Sequence, residues 1–159
     1  MGISISRIVN ILSKLGSEFT IDDLISRFNL APSTARRYLY YMLKNGIIYR
    51  NNGKYKLTDY GKSLIESIDA ARREVSEEYS YVFTDLSGSP IILKINSIEK
   101  LYGVIKYRLI PVEIIQYHIE RGYLTTWISE QVGAKTLATR LREQRNIYEV
   151  LKILEEYLK

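Results

Sequence analysis

Residues 32–64 read PSTARRYLYYMLKNGIIYRNNGKYKLTDYGKSL, and the order of signals in this stretch decides the fold. Pro32 suits the first position of a helix, because the N–H it lacks would have no intrahelical partner there. Ala35, Leu39 and Met42 recur at helical spacing and point inward, which leaves Ser33, Thr34, Arg36, Arg37, Tyr40 and Lys44 for the opposite side. Gly46 ends the helix, and "IIYR" and "KYKL" follow as short alternating β segments around Asn51, Asn52 and Gly53. Asn-Gly is the strongest short hairpin signal, since both central residues of a type I′ turn take positive φ. Thr58 then caps a further helix that begins DYGKSLIESI.

Upstream, a helix is expected from about Ser4 to Leu15, with Ile5, Ile8, Ile11, Leu12 and Leu15 inward and Gly16 as its stop. A second begins after Thr20, whose hydroxyl can cap it while Asp23 reaches back as a capping box. Ile21, Leu24, Ile25 and Phe28 form its apolar stripe, and "NLAPS" breaks it before Pro32. The resulting order is helix, helix, tight turn, helix, hairpin, helix.

Charge is unevenly placed. Residues 1–65 hold ten Lys/Arg against four acids, residues 66–80 two against five, and residues 81–159 eleven against nine. The positive excess therefore lies where the helix and hairpin lie, which is where a polyanion would be held. With no cysteine, disulfides, thiolate chemistry and Cys-type zinc sites are excluded. His118 is the only histidine, so no two-His metal site exists; Gly61-Lys62-Ser63 has Lys56 where a Gly-x-x-x-x-Gly-Lys-Ser/Thr phosphate loop needs glycine, and Gly-x-Gly-x-x-Gly does not occur. No enzyme, metal or cofactor is expected. No run approaches the roughly 18 apolar residues of a membrane span, and a cytoplasmic protein is the default. The Met-Gly-x-x-x-Ser start at Gly2 and Ser6 formally fits a myristoylation pattern, but the residues after it read as an ordinary amphipathic helix.

The run from Thr20 to Ile68 resembles the winged helix-turn-helix of bacterial and archaeal transcription regulators of the MarR, ArsR and PadR types. The likeness rests on Ala35, Leu39 and Met42, the "KNGII" exit and the "YKLTDYGKSL" return, and extends over residues 4–69. It implies that the third helix enters the major groove, with Ser33, Thr34, Arg36, Arg37, Tyr40 and Lys44 available to the DNA, and that Arg50, Asn51, Asn52 and Lys54 lie on the wing. One position departs: the usual Ser or Thr cap is Ala31, which leaves the first amides bare unless Ser33 or Thr34 substitutes. Bare amides at a helix N-terminus attract phosphate. Tyr38, Tyr40 and Tyr41 have different azimuths on a helix, which favours duplex over a base-stacking single strand. The competing reading is a winged-helix interaction module, an adaptor in a transcription, replication or division complex without base-specific binding.

The fourth helix is expected to run from Asp59 to about Tyr79, with Leu64, Ile68, Ala71 and Val75 forming a short coiled-coil-like seam. It either packs within the chain or meets a second copy, and the homodimer is preferred because helix-turn-helix proteins read paired half-sites. After residue 80 the composition changes. "YVFTD" and "PIILKI" flank the turn "LSGS", and helices follow from Ser97, Pro111, near Trp127, from Ala134 to Gln144, and from Asn146. "YHIERGYLTTWISEQVGAKTLATRLREQ" is similar to a small uncharacterised archaeal and bacterial domain, a likeness spanning residues 81–145. His118 and Trp127 are expected to pack a helical core, although His118, Arg121 and Tyr123 could instead line a ligand pocket. The expected architecture is mainly helical with a little β structure: a winged helix-turn-helix over residues 1–65, a linking helix over 66–80, and a C-terminal α+β domain over 81–159 that could also take a protein partner.

Overall fold

A computed structural model describes residues 3–159, so Gly2 and any reading placed on it lie outside the described residues. The chain divides into two units, one ending at Ile65 and one running from Glu66 to Lys159.

The first unit opens with α1 (Ile5–Leu15), capped by the Ser4 hydroxyl, and its Ile8, Ile11, Leu12 and Leu15 are buried. Next come β1 (Glu18–Phe19) and α2 (Ile21–Phe28). The capping box at the start of α2 forms as its residues predict: Asp23 N–H donates to Thr20 Oγ1 at 3.2 Å, and Thr20 N–H donates to Asp23 Oδ2 at 2.9 Å. Asn29 closes α2 in the left-handed region. The third helix, α3 (Pro32–Lys44), buries Ala35, Leu39 and Met42. β2 (Ile48–Asn51) and β3 (Lys54–Leu57) pair antiparallel, with Asn52 at φ 52° and Gly53 at φ 77°, as the Asn-Gly signal requires. β1 joins the far edge of β3, Glu18 opposite Lys56 and Phe19 opposite Tyr55, giving a three-stranded sheet in the order β1-β3-β2. Two residues carry no periodicity, so the sequence alone does not announce β1.

Thr58 ties the hairpin to the next helix, α4 (Asp59–Ala71). Its hydroxyl accepts from Gly61 N–H at 2.9 Å, while Thr58 N–H donates to the Ile47 carbonyl at 3.0 Å. Gly61 is buried against that same carbonyl: a Cβ there would stand 2.1 Å from Ile47 O.

α4 corrects the expected long linking helix. It stops at Ala71 and closes with tight i−3 bonds from Arg72 and Arg73 to Asp69 and Ala70. Beyond it, Val75 N–H donates at 2.8 Å to the carbonyl of Asn96, so a distant backbone partner holds Val75 off the helix. Leu64, Ile68 and Ala71 are 2%, 0% and 1% exposed in the single chain. The seam thus loses its last member and has its other three covered by the chain itself.

In the second unit a 3-10 turn (Glu77–Tyr79) leads to the hairpin β4 (Tyr81–Thr84) and β5 (Pro90–Ile95). Its turn is held by Asp85, whose Oδ1 accepts from Ser87 N–H and Ser89 N–H, both at 2.9 Å. Helices follow: α5 (Ile98–Lys106), α6 (Val112–Glu120), α7 (Tyr123–Trp127), α8 (Lys135–Arg142) and α9 (Ile147–Leu158), with a π-helical turn (Ile128–Val132) between α7 and α8. Asn146 caps α9 by accepting from Tyr148 N–H at 2.8 Å. Ser67, on α4, accepts from Thr136 N–H at 3.1 Å, so the C-terminal end of α4 is bonded into this unit. No helix among the described residues is long and apolar enough to cross a membrane.

Candidate nucleic-acid interface

α3 shows two chemically distinct sides. Burial of Ala35, Leu39 and Met42 fixes its rotation, and Ser33, Arg36, Arg37, Tyr40 and Lys44 are exposed as a result, while Thr34 is half-buried at the margin. At 3.6 residues per turn, Ser33, Arg37, Tyr40 and Lys44 fall on one stripe and Arg36 on its flank beside the exposed Leu43. Arg37 lies 6.0 Å from the ring centre of Tyr38, and Lys44 lies 6.0 Å from that of Tyr40, which is 66% exposed. Neither arginine nor Lys44 is in an ion pair among the described residues. Their charge remains available to an outside anion.

The N-terminus of α3 is as bare as its sequence implies. Ala31 gives no side-chain cap, neither Ser33 nor Thr34 substitutes, and Pro32 occupies the first position, so the amides of Ser33 and Thr34 end the helix without a side-chain acceptor. Those N–H groups and the positive end of the helix dipole face the same surroundings as Ser33.

The wing separates residues that the sequence grouped together. Residues opposite each other in an antiparallel pair share a face, so Asn51 stands with Lys54, and Tyr49 with Lys56 and Glu18. Arg50 is paired with Tyr55, on the face that carries the buried Ile48 and Phe19, and its side chain is exposed because it lies near the hairpin's tip. Phe19 and Tyr55 stack with ring centres 5.7 Å apart beneath it. Asn52 forms the tip itself. On the other face Lys54 Nζ is 3.3 Å and Lys56 Nζ 3.8 Å from the carboxylate of Glu18. Tyr49, Lys56 and Glu18 are thus part of this surface but were not among the residues expected there. The register set by a two-residue Asn-Gly loop places Tyr49 opposite Lys56; Glu18 needed the unannounced strand.

In the second unit His118 and Trp127 belong to one aromatic cluster with Tyr81, Phe83, Tyr117 and Tyr123. The Tyr81 hydroxyl is hydrogen-bonded to His118 Nδ1, and His118 Nε2 lies 2.8 Å from the carbonyl oxygen of Thr84 and 3.2 Å from both its backbone nitrogen and its hydroxyl. Trp127 Nε1–H donates to the Tyr79 carbonyl at 2.7 Å. Burial, reinforced by the neighbouring Tyr123, pushes the Tyr81 hydroxyl well above its ordinary value. Both ring nitrogens of the histidine are therefore occupied in fixing β4 onto α6, and the indole N–H in fixing the 3-10 turn before β4 onto α7. Arg121 lies outside this network, its guanidinium 5.3 Å from the Tyr117 ring centre.

Compared with known proteins, residues 4–76 match the family model described as winged helix-turn-helix. No curated protein and no solved structure matches the chain. The first unit together with the start of the second is a winged helix-turn-helix segment, and the rest of the chain is a β-hairpin with helices.

Proposed function

We propose that the chain is a sequence-specific double-stranded DNA-binding protein, a transcriptional regulator acting as a homodimer, with α3 in the major groove and the β2–β3 wing against the backbone. The single observation that carries this reading is the exposed Arg36–Arg37 pair, in no ion pair among the described residues, within the first turn and a half of α3, a helix that lies inside the winged helix-turn-helix match. Early residues of a groove-bound helix reach base edges, and an arginine bidentate to guanine is the commonest specific contact. The bare amides of Ser33 and Thr34 supply phosphate donors beside it. Tyr40 and Lys44, lower on the same stripe, extend the contact along the groove wall.

The wing contributes position more than sequence. Asn51, Asn52 and Lys54 face outward at or beside its tip, where phosphate contacts orient the protein without reading bases. Selection from random duplexes by the full chain tests the reading. Enrichment of a defined motif that Arg36→Ala or Arg37→Ala flattens at one base pair is the expected result. Undiminished, featureless binding in both variants would leave an interaction module instead.

A further inference from the structure

We infer that Tyr40 is a thymine reader: its ring, with Leu43 beside it, packs on the C5-methyl group of a thymine close to the guanine that Arg36 or Arg37 contacts, a specificity that rests on the DNA-binding proposal above. Tyr40 lies at the centre of the exposed side of α3. Arg36 and Arg37 stand four and three residues before it and Leu43 and Lys44 three and four after it, the spacings that make neighbours on a helix surface. All five are exposed, Tyr40 by 66% and Leu43 by 40%. An apolar patch therefore sits among three cations, none of which is in an ion pair among the described residues. The Lys44 ammonium, 6.0 Å from the Tyr40 ring centre, holds the ring by cation–π attraction and still leaves most of the residue open.

The chemistry of the major groove decides what that patch meets. Base edges there present nitrogen and oxygen donors and acceptors, and the thymine C5-methyl is the one apolar group among them. Guanine suits the arginines. Leu43 has no polar side-chain atom, so neither a phosphate nor a donor or acceptor on a base edge gives it a partner. Within a base pair the methyl is the outermost group on the pyrimidine side, next to the sugar-phosphate wall along which the later residues of α3 run. Tyr40 follows the arginines by three and four residues, about 5–6 Å along the helix axis, which is less than two base-pair steps of about 3.4 Å. The thymine is accordingly expected within about two base pairs of the guanine.

Equilibrium binding of the full chain to a duplex selected from random sequence tests this, with each thymine replaced in turn by deoxyuridine, which removes only the C5-methyl. One position in each half-site should weaken the parent by about fourfold, as expected for one buried methyl group. Tyr40→Phe should keep that sensitivity, and Tyr40→Ala should bind the thymine and deoxyuridine duplexes alike. Both variants should retain the parent's circular dichroism because the side chain is exposed. Indifference of the parent to every deoxyuridine, or a sensitivity that survives Tyr40→Ala, overturns the inference. Loss of the sensitivity in Tyr40→Phe overturns it too and assigns the contact to the hydroxyl. In each of these cases the parent still prefers the selected duplex, so the DNA-binding reading stands. Failure of that reading is distinct: selection enriches no motif, and both fall together.

Discussion

Single side chains decide whether this surface reads sequence or merely adheres to phosphate. Arg37 lies on the exposed stripe of α3 and Arg36 on its flank, so replacing the one that reaches a guanine should cost roughly 1–3 kcal/mol of discrimination at one base pair of each half-site. Competition binding with single-base variants of a selected duplex measures this directly. Lys54 should behave otherwise. Lys54→Ala is expected to weaken all duplexes alike and reduce the salt-dependence slope by about 1 at most per copy, because its ammonium is already 3.3 Å from Glu18. Removing that anion should have the opposite sign: Glu18→Gln frees Lys54 and Lys56 and should strengthen binding to every duplex, a result read from the same titrations. The basic residues of α3 were legible from their spacing alone. Glu18 was not, because its role depends on a two-residue strand that no local pattern marks.

At the scale of elements, the local signals that proved legible are those whose physics is complete within a few residues. The Thr20–Asp23 box and the Asn52–Gly53 turn require only neighbouring groups, and both form as read. The length of α4 was illegible for the converse reason. Nothing between Ala71 and Val75 breaks a helix, and it ends because Val75 finds the carbonyl of Asn96, twenty-one residues further along. Two tests follow from these elements. Gly61→Ala places a methyl 2.1 Å from the backbone oxygen of Ile47, so the joint between wing and α4 must move; thermal unfolding should show a loss of about 3 kcal/mol or more, the severe end for one substitution. The second concerns pH. Hydrogen bonds from Thr20 hold the Asp23 carboxyl below its ordinary 3.8. A depressed folded value means the stabilisation is complete above the ordinary value and disappears as pH falls through the lower one. Asp23→Ala should therefore lower the melting temperature near neutral pH and shrink the loss seen on acidification below about pH 4, whereas a parallel displacement at all pH values would count against the capping box as its source.

For the whole molecule, net charge is divided unevenly between the two units. Residues 1–65 hold ten Lys/Arg against four acids, and the remainder is nearly neutral. The charge division could be counted from the sequence, and it pointed to the α3 and wing surface before any geometry was known. The outward side of β5 could not be read there, since alternation in PIILKI leaves open which residues face out until Tyr81, Phe83 and His118 fix the hairpin's inner side. On α4, Leu64, Ile68 and Ala71 are buried within the single chain. The central claim is that α3 reads base pairs in double-stranded DNA. Its most direct measurement is equilibrium binding of the full chain, and of Arg36→Ala/Arg37→Ala together, to a selected duplex and a scrambled one across a salt series. Log K should fall linearly with log salt for both duplexes, the parent should prefer the selected duplex, and the double variant should bind the two alike. Equal affinity of the parent for the two duplexes, or a preference that survives loss of both arginines, would contradict it.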